Sequence, residues 1–171
     1  MTRRKDMSNQ EKEGFTLGLA LMDAIPVVAF GVDMALLAKP LGSKLFLLGA
    51  IISLLAGACM VVYKLLLATV KKEMPGLKKM MPIGMTAGWV MMIAALILNR
   101  SKISLAGIWH AVSSMPACIF FVLGIAFFAA FIIYFKTKFN ADSAKDNWIE
   151  EILNAGTQVF ILIGVVLSVG A

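Results

Sequence analysis

Apolar residues in this chain follow neither the alternation of a half-buried strand nor the spaced stripe of a helix on a soluble core. They come in long runs separated by short polar stretches. A helix needs about 20 apolar residues to cross the hydrocarbon core of a bilayer. Five runs are long enough: positions 15–37, 45–70, 81–98, 116–135 and 149–171. Segment 103–115 is shorter and more polar, with Trp109, His110, Ser113 and Ser114. Its length predicts an interfacial or re-entrant helix. The pattern predicts an all-α, polytopic membrane helix bundle of five transmembrane helices, forming one integral membrane domain over 1–171. The first run is longer than a signal-peptide core and acids as well as bases precede it, so it should remain as a transmembrane helix.

Composition agrees with the pattern. Of 171 residues, 60% are hydrophobic and 15% are charged, with a mean hydropathy of +0.88. Soluble domains are about 45–50% apolar and about 25% charged, and a chain of this size has too little interior to hide the excess. That excludes an ordinary soluble enzyme, a disordered chain and a disulfide scaffold. Cys59 and Cys118 lie in apolar runs without metal-ligand spacing, and the chain has one histidine, so no metal site and no cofactor are expected.

The formal charge of +6 reads as membrane flanking and not as a nucleic-acid footprint, because the basic runs lack interleaved aromatics. If the five runs cross in turn, Arg3, Arg4, Lys5, Lys12, Lys64, Lys71, Lys72, Lys78, Lys79, Lys136, Lys138 and Lys145 share one side. Lys39, Lys44, Arg100 and Lys102 fall on the other. The split of 12 to 4 orients the chain in the cytoplasmic (cell) membrane with its N-terminus cytoplasmic and its C-terminus extracytoplasmic. Glu11, Glu13, Asp142 and Asp146 read as solvated surface.

Small residues four apart share a helix face and let membrane helices approach closely. Gly49, Ser53 and Gly57 form such a face in the second span, Gly84 and Gly88 in the third, Ala126 and Ala130 in the fourth, and Gly164 and Ser168 in the fifth. Packing is the expected role of these faces. The twelve Met and eleven Phe read as filler, since Met adapts to irregular gaps.

The candidate chemistry lies in the few polar residues that hydrocarbon should exclude. Asp23 and Asp33 stand in the first span around Pro26, where a lost backbone bond to Met22 favours a kink and frees a carbonyl. Asp33 lies near the outer surface, shallow enough to be wet. Glu151, Asn154 and Gln158 make a polar stripe at the start of the fifth span, overlapped by Glu150, Asn154 and Thr157. Asp146 or Asn147 is the expected cap of that helix, the glutamates suit its positive end, and Trp148 suits the interface. Lys64, at a depth similar to Asp23, is a counter-charge or modulator, and a plain Asp23–Lys64 pair would join two helices with no further role.

Intramembrane ionisable groups default to function, so the leading expectation is movement of a small solute or cation along Asp23, Asp33, Glu151, Asn154 and Gln158. Five helices are few for a complete transporter, so a homo-oligomer or a larger membrane complex is part of that expectation, with the lipid bilayer as the common partner. The second reading is a non-catalytic accessory or assembly protein. The third is a lipid-modifying enzyme, although no enzyme signature is present and the chain is read as not an enzyme. Orientation can be tested directly: a reporter fused after Ala171 should read extracytoplasmic and one inserted in 71–79 cytoplasmic, and the reverse pattern overturns the assignment.

Overall fold

A computed structural model describes residues 15–138, 140 and 143–169. Arg3, Arg4, Lys5, Glu11, Lys12, Glu13, Asp142 and Ala171 lie outside the described residues. Within them the chain is all-α and has no strand. Five helices are long and apolar enough to cross a membrane: α1 (Leu17–Leu41), α2 (Lys44–Thr69), α3 (Pro75–Leu98), α5 (Ala117–Thr137) and α6 (Ala144–Val169). A 3-10 turn (Arg100–Lys102) and the nine-residue α4 (Leu105–Ser113) separate α3 from α5.

The boundaries follow from capping chemistry. The first backbone N–H groups of a helix lack partners inside it, and hydroxyls supply them: Thr16 accepts from Leu19 N–H, Ser43 from Phe46 and Ser104 from Gly107. Gly42 ends α1 in the left-handed region (φ 55°), with its N–H on the Ala38 carbonyl at 3.0 Å. Glycine adopts that conformation without steric cost, so the chain re-enters α2 two residues later. Helix α1 runs unbroken through Pro26.

Two helices begin earlier than hydropathy predicts. Helix α3 starts at Pro75 instead of near 81, because proline at the first helical position has no useful N–H to lose; Lys78 and Lys79 stay exposed on its opening turns. Helix α6 starts at Ala144 instead of near 149. Its cap is Ser143, whose hydroxyl accepts from Asp146 N–H at 3.3 Å, and not Asp146 or Asn147. Asp146 is also not simply solvated: it accepts from the Tyr134 hydroxyl (2.7 Å) and Asn140 N–H (3.2 Å), tying α5 to α6.

The long helices form a curved row in the order α3, α2, α1, α6, α5. Phe30 of α1 packs with Phe46 and Ala50 near the start of α2, and Leu19 packs with Tyr63 and Leu67 near its end, so α1 and α2 are antiparallel. Gly124 of α5 lies against Ile161 of α6 and Phe121 against Gly164, which makes that pair antiparallel too. Helix α4 stays at the end where α5 begins and α6 finishes, held by Ser168 Oγ donating to the Ala111 carbonyl at 3.0 Å. Nine residues cover only about 14 Å of helix, less than half the hydrocarbon thickness. Leu105, Ile108, Trp109 and Val112, one stripe at helical spacing, face outward from α4.

The small-residue faces divide among different partners. Gly49 and Ser53 pack against Gly88, where a Cβ on Gly49 would stand 2.7 Å from the Gly88 carbonyl oxygen; Gly84 meets Ala56 just as closely. Gly57 instead faces Val27 of α1. Eight residues turn a helix by about 80° beyond two full turns, which carries Gly57 off the α3 seam. Ala126 and Ala130 are exposed and join no seam; the close approach of α5 to α6 is at Gly124. The outer faces stay apolar, with Ile83 70% and Ile125 65% exposed, as suits a chain whose surrounding solvent is lipid.

A Cβ at Gly88 would run into Ser53 Oγ and the Gly49 backbone. Gly88→Ala is expected to destabilise the protein by about 1–3 kcal/mol, the usual range for overpacking. Gly76→Ala, where a Cβ meets nothing, should be neutral or slightly stabilising. Thermal unfolding in detergent, read by gel filtration, compares the two.

Candidate functional site

Between the two apolar clusters of the bundle lies a polar layer. One cluster joins Phe30, Phe46, Ala50, Met92 and Ala95 of α1, α2 and α3. The other joins Phe15, Leu19, Tyr63 and Leu67, with Trp148 packed on it. Trp148 therefore turns inward over Gly18 and does not stand as a free interfacial anchor.

Three helices meet in the polar layer through charge. Lys64 of α2 is 2% exposed and forms a buried ion pair and hydrogen bond with Glu151 Oε1 of α6. Asp23 of α1 approaches the same ammonium from the other side, with Oδ2 3.6 Å from Nζ. That is beyond hydrogen-bond reach, and Asp23 Oδ2 has no hydrogen-bond partner. Lys64 thus belongs primarily to Glu151, and Asp23 is held loosely. With all three ionised, one ammonium faces two carboxylates and the triad carries a formal charge of −1. Glu150, half-buried in the next position, adds to the negative field on Lys64.

The positions follow from helix arithmetic. Lys64 lies five residues before the end of α2 and Glu151 seven after the start of α6. At 1.5 Å per residue these are similar depths of about 8 and 10 Å. The expected Asp23–Lys64 pair is present, but the tighter partner was hidden from sequence reasoning. A fifth span beginning at 149 puts Glu151 at the mouth of the helix, whereas the true start at Ala144 moves it into the layer. Lys64 consequently leaves the loop tally of basic residues. Of the twelve, four lie outside the described residues and one is Lys64, leaving Lys71, Lys72, Lys78, Lys79, Lys136, Lys138 and Lys145 at that end of the bundle.

Beside the triad is a cavity of about 100 Å³. From α1 come Asp23, Pro26, Val27 and Phe30; from α2, Ser53, Leu54, Gly57 and Met60. Helix α3 contributes Met81, Met85 and Trp89, and α6 contributes Asn154 and Gln158. Asn154 and Gln158, four apart, share the face predicted for them. Ser53 is 1% exposed and its hydroxyl has no hydrogen-bond partner. Its second role, as a wall of this cavity, was masked by its place in the small-residue pattern. The same holds for Phe30, Trp89 and the three methionines, which carry no polar signal in the sequence.

Asp33 does not join the cavity. It lies ten residues beyond Asp23, about 15 Å along α1. It is 2% exposed and so is not at a wet surface, and its Oδ1 lacks a hydrogen-bond partner. Thr157 leaves the predicted stripe by donating to the Leu153 carbonyl of its own helix at 2.8 Å. Ser113 and Ser114, near His110, likewise donate to backbone carbonyls, of Trp109 (2.7 Å) and Ala111 (2.8 Å). Comparison with family models, curated proteins and solved structures finds no match for this chain.

A buried pair that loses one partner leaves an uncompensated charge, at a cost of about 3–5 kcal/mol. Lys64→Met is therefore expected to lower stability by that order. The swap Lys64→Glu with Glu151→Lys should restore more than half of it. Thermal unfolding of the single and double variants checks this, and equal losses in both would show that the charges are not paired.

Proposed function

We propose that this chain moves a small cationic solute across the membrane, with the cavity beside Asp23 as its binding station. The observation that carries the reading is Asp23, a carboxylate on a cavity wall within the spans that has one oxygen without a hydrogen-bond partner and shares its lysine with Glu151. A carboxylate in hydrocarbon costs about 2.5–3.5 kcal/mol on insertion scales, and a cation entering the cavity offsets that cost. Ser53, Asn154 and Gln158 supply neutral hydrogen-bonding groups around it. Asp33, enclosed and short of a partner further along α1, is the next anionic station toward the far end.

Lys64 acts here as an internal competitor. While Glu151 holds it, Asp23 makes only the longer ion pair to Lys64 and can take the solute; when Lys64 closes onto Asp23, the solute is displaced. The basic loops at the triad's end of the bundle support a station on the cytoplasmic half, by the positive-inside rule. Helices α3 and α5 form the two edges of the row, where a second copy or a partner subunit would pack in a complete carrier.

Uptake into proteoliposomes tests the reading, with a panel of inorganic cations, small organic cations, neutral polyols and amino acids. At least one cation should enter faster than into protein-free vesicles. Asp23→Asn should abolish that uptake while the variant still unfolds near the wild-type temperature. Glu151→Gln, which frees Lys64 for Asp23, should reduce uptake about tenfold or more. Uptake unchanged in Asp23→Asn, or no solute distinguishing the proteoliposomes from empty ones, overturns the proposal and favours an accessory or assembly role.

A further inference from the structure

We infer that the cavity selects a small organic cation, an alkylammonium or guanidinium ion of roughly four heavy atoms, over inorganic cations. The inference rests on the preceding reading that this cavity is the solute station, and it concerns which chemistry the walls accept.

Size comes first. A dry cavity of about 150 Å³ takes a benzene, and a water occupies about 30 Å³ of liquid. The cavity here is about 100 Å³. It admits a molecule somewhat smaller than benzene.

The walls decide next. Calcium-like and magnesium-like sites need six or more oxygen ligands. Here one carboxylate, one hydroxyl and two carboxamides stand among methionine, aromatic and aliphatic side chains. Helix α1 is continuous through Pro26, so Pro26 frees one backbone carbonyl at most and no unwound segment supplies a cage of carbonyls. Phe30 and Trp89 meet at 6.1 Å between ring centroids, tilted by 52°, and both border the cavity. An aromatic corner of this kind attracts a cation through the ring quadrupole, most strongly at Trp. Met60, Met81 and Met85 add polarisable sulfur suited to carbon-bearing ligands.

An organic cation uses both halves of this lining. Its N–H donors suit the carboxylate, hydroxyl and carboxamide side chains of Asp23, Ser53, Asn154 and Gln158, while its carbon or planar face suits Trp89 and Phe30. Polar side chains in an apolar wall gain from a partner, and these acceptors favour a ligand that carries hydrogen-bond donors. A bare alkali ion finds at most four oxygen-bearing side chains here in place of its hydration shell, and it has no apolar face to set against the rest of the lining.

Equilibrium binding to the purified full chain in nanodiscs tests the inference by calorimetry and thermal shift. The probes are methylammonium, ethylammonium, guanidinium, tetraethylammonium, sodium, potassium and magnesium chlorides at matched ionic strength. Saturable binding is expected for the first three and not for tetraethylammonium or the metal ions. Trp89→Leu should weaken it about 5- to 30-fold, the range that one to two kcal/mol of cation–π attraction implies. Trp89→Phe should weaken it less, and Asp23→Asn should abolish it. If Trp89→Leu fails to fold, the Trp89→Phe and Ser53→Ala variants carry the comparison. Asp23-dependent binding of sodium or potassium in preference to the organic cations overturns this inference and leaves the transport reading standing. Binding of the organic cations without any proteoliposome uptake supports the inference and overturns the transport reading. Binding of none of the seven overturns the inference.

Discussion

The ion pair of Lys64 and Glu151 is the constraint on which the polar centre depends. An ammonium and a carboxylate each need a partner before either can lie among hydrocarbon, since desolvation of an unpaired ion costs several kcal/mol. The pair gives each its counter-charge, although Glu151 Oε2 keeps no hydrogen-bond partner, and it does so between α2 and α6, two helices that are not neighbours in the row. It therefore closes the row at one level and sets the relative depth of both helices. Asp23, on α1 between them, is drawn to the same charge without completing a hydrogen bond to it.

From that arrangement follows the surplus that gives the site its chemistry. One positive charge is shared unequally between two carboxylates, and the shortfall falls on Asp23, the carboxylate that borders the cavity. Apolar clusters flank this layer on both sides. The low dielectric that makes the triad costly to assemble also makes its field strong at short range. The seam of Gly49, Ser53 and Gly88 contributes in a different way. By letting α2 and α3 approach closely it brings Met81, Met85 and Trp89 around the opposite wall, and it leaves the Ser53 hydroxyl enclosed.

Much of this was legible along the chain. Long apolar runs gave the helices, and the polar residues within them gave Asp23, Lys64, Glu151, Asn154 and Gln158 as the places to look. Small residues four apart marked the α2–α3 seam correctly and misled at Ala126 and Ala130, because small side chains also tolerate lipid and a spacing does not name its partner. Asp33 looked shallow because hydropathy fades after 37, yet α1 runs on through Pro40 to Leu41 and Asp33 is buried. The start of α6 was misplaced by five residues because hydropathy reports where water ends, whereas a helix begins where a cap is available, here Ser143. That error concealed the dominant partner of Lys64.

The sequence by itself determined the solvent, the secondary structure and the small set of residues that violate the hydrophobic rule. These are local properties: transfer of each side chain between water and lipid, and the backbone's need to pair within its own segment once water is absent. Tertiary structure alone decided which violators meet. It joined Lys64 to Glu151 more tightly than to Asp23, set Asp33 apart from them, and brought Trp89, Phe30 and three methionines that carry no polar signal to the cavity that Asp23 borders. Those outcomes depend on the rotation and depth of each helix against its neighbours. Rotation and depth are settled by packing and charge pairing between distant segments, which hydropathy, a property of one segment at a time, does not contain.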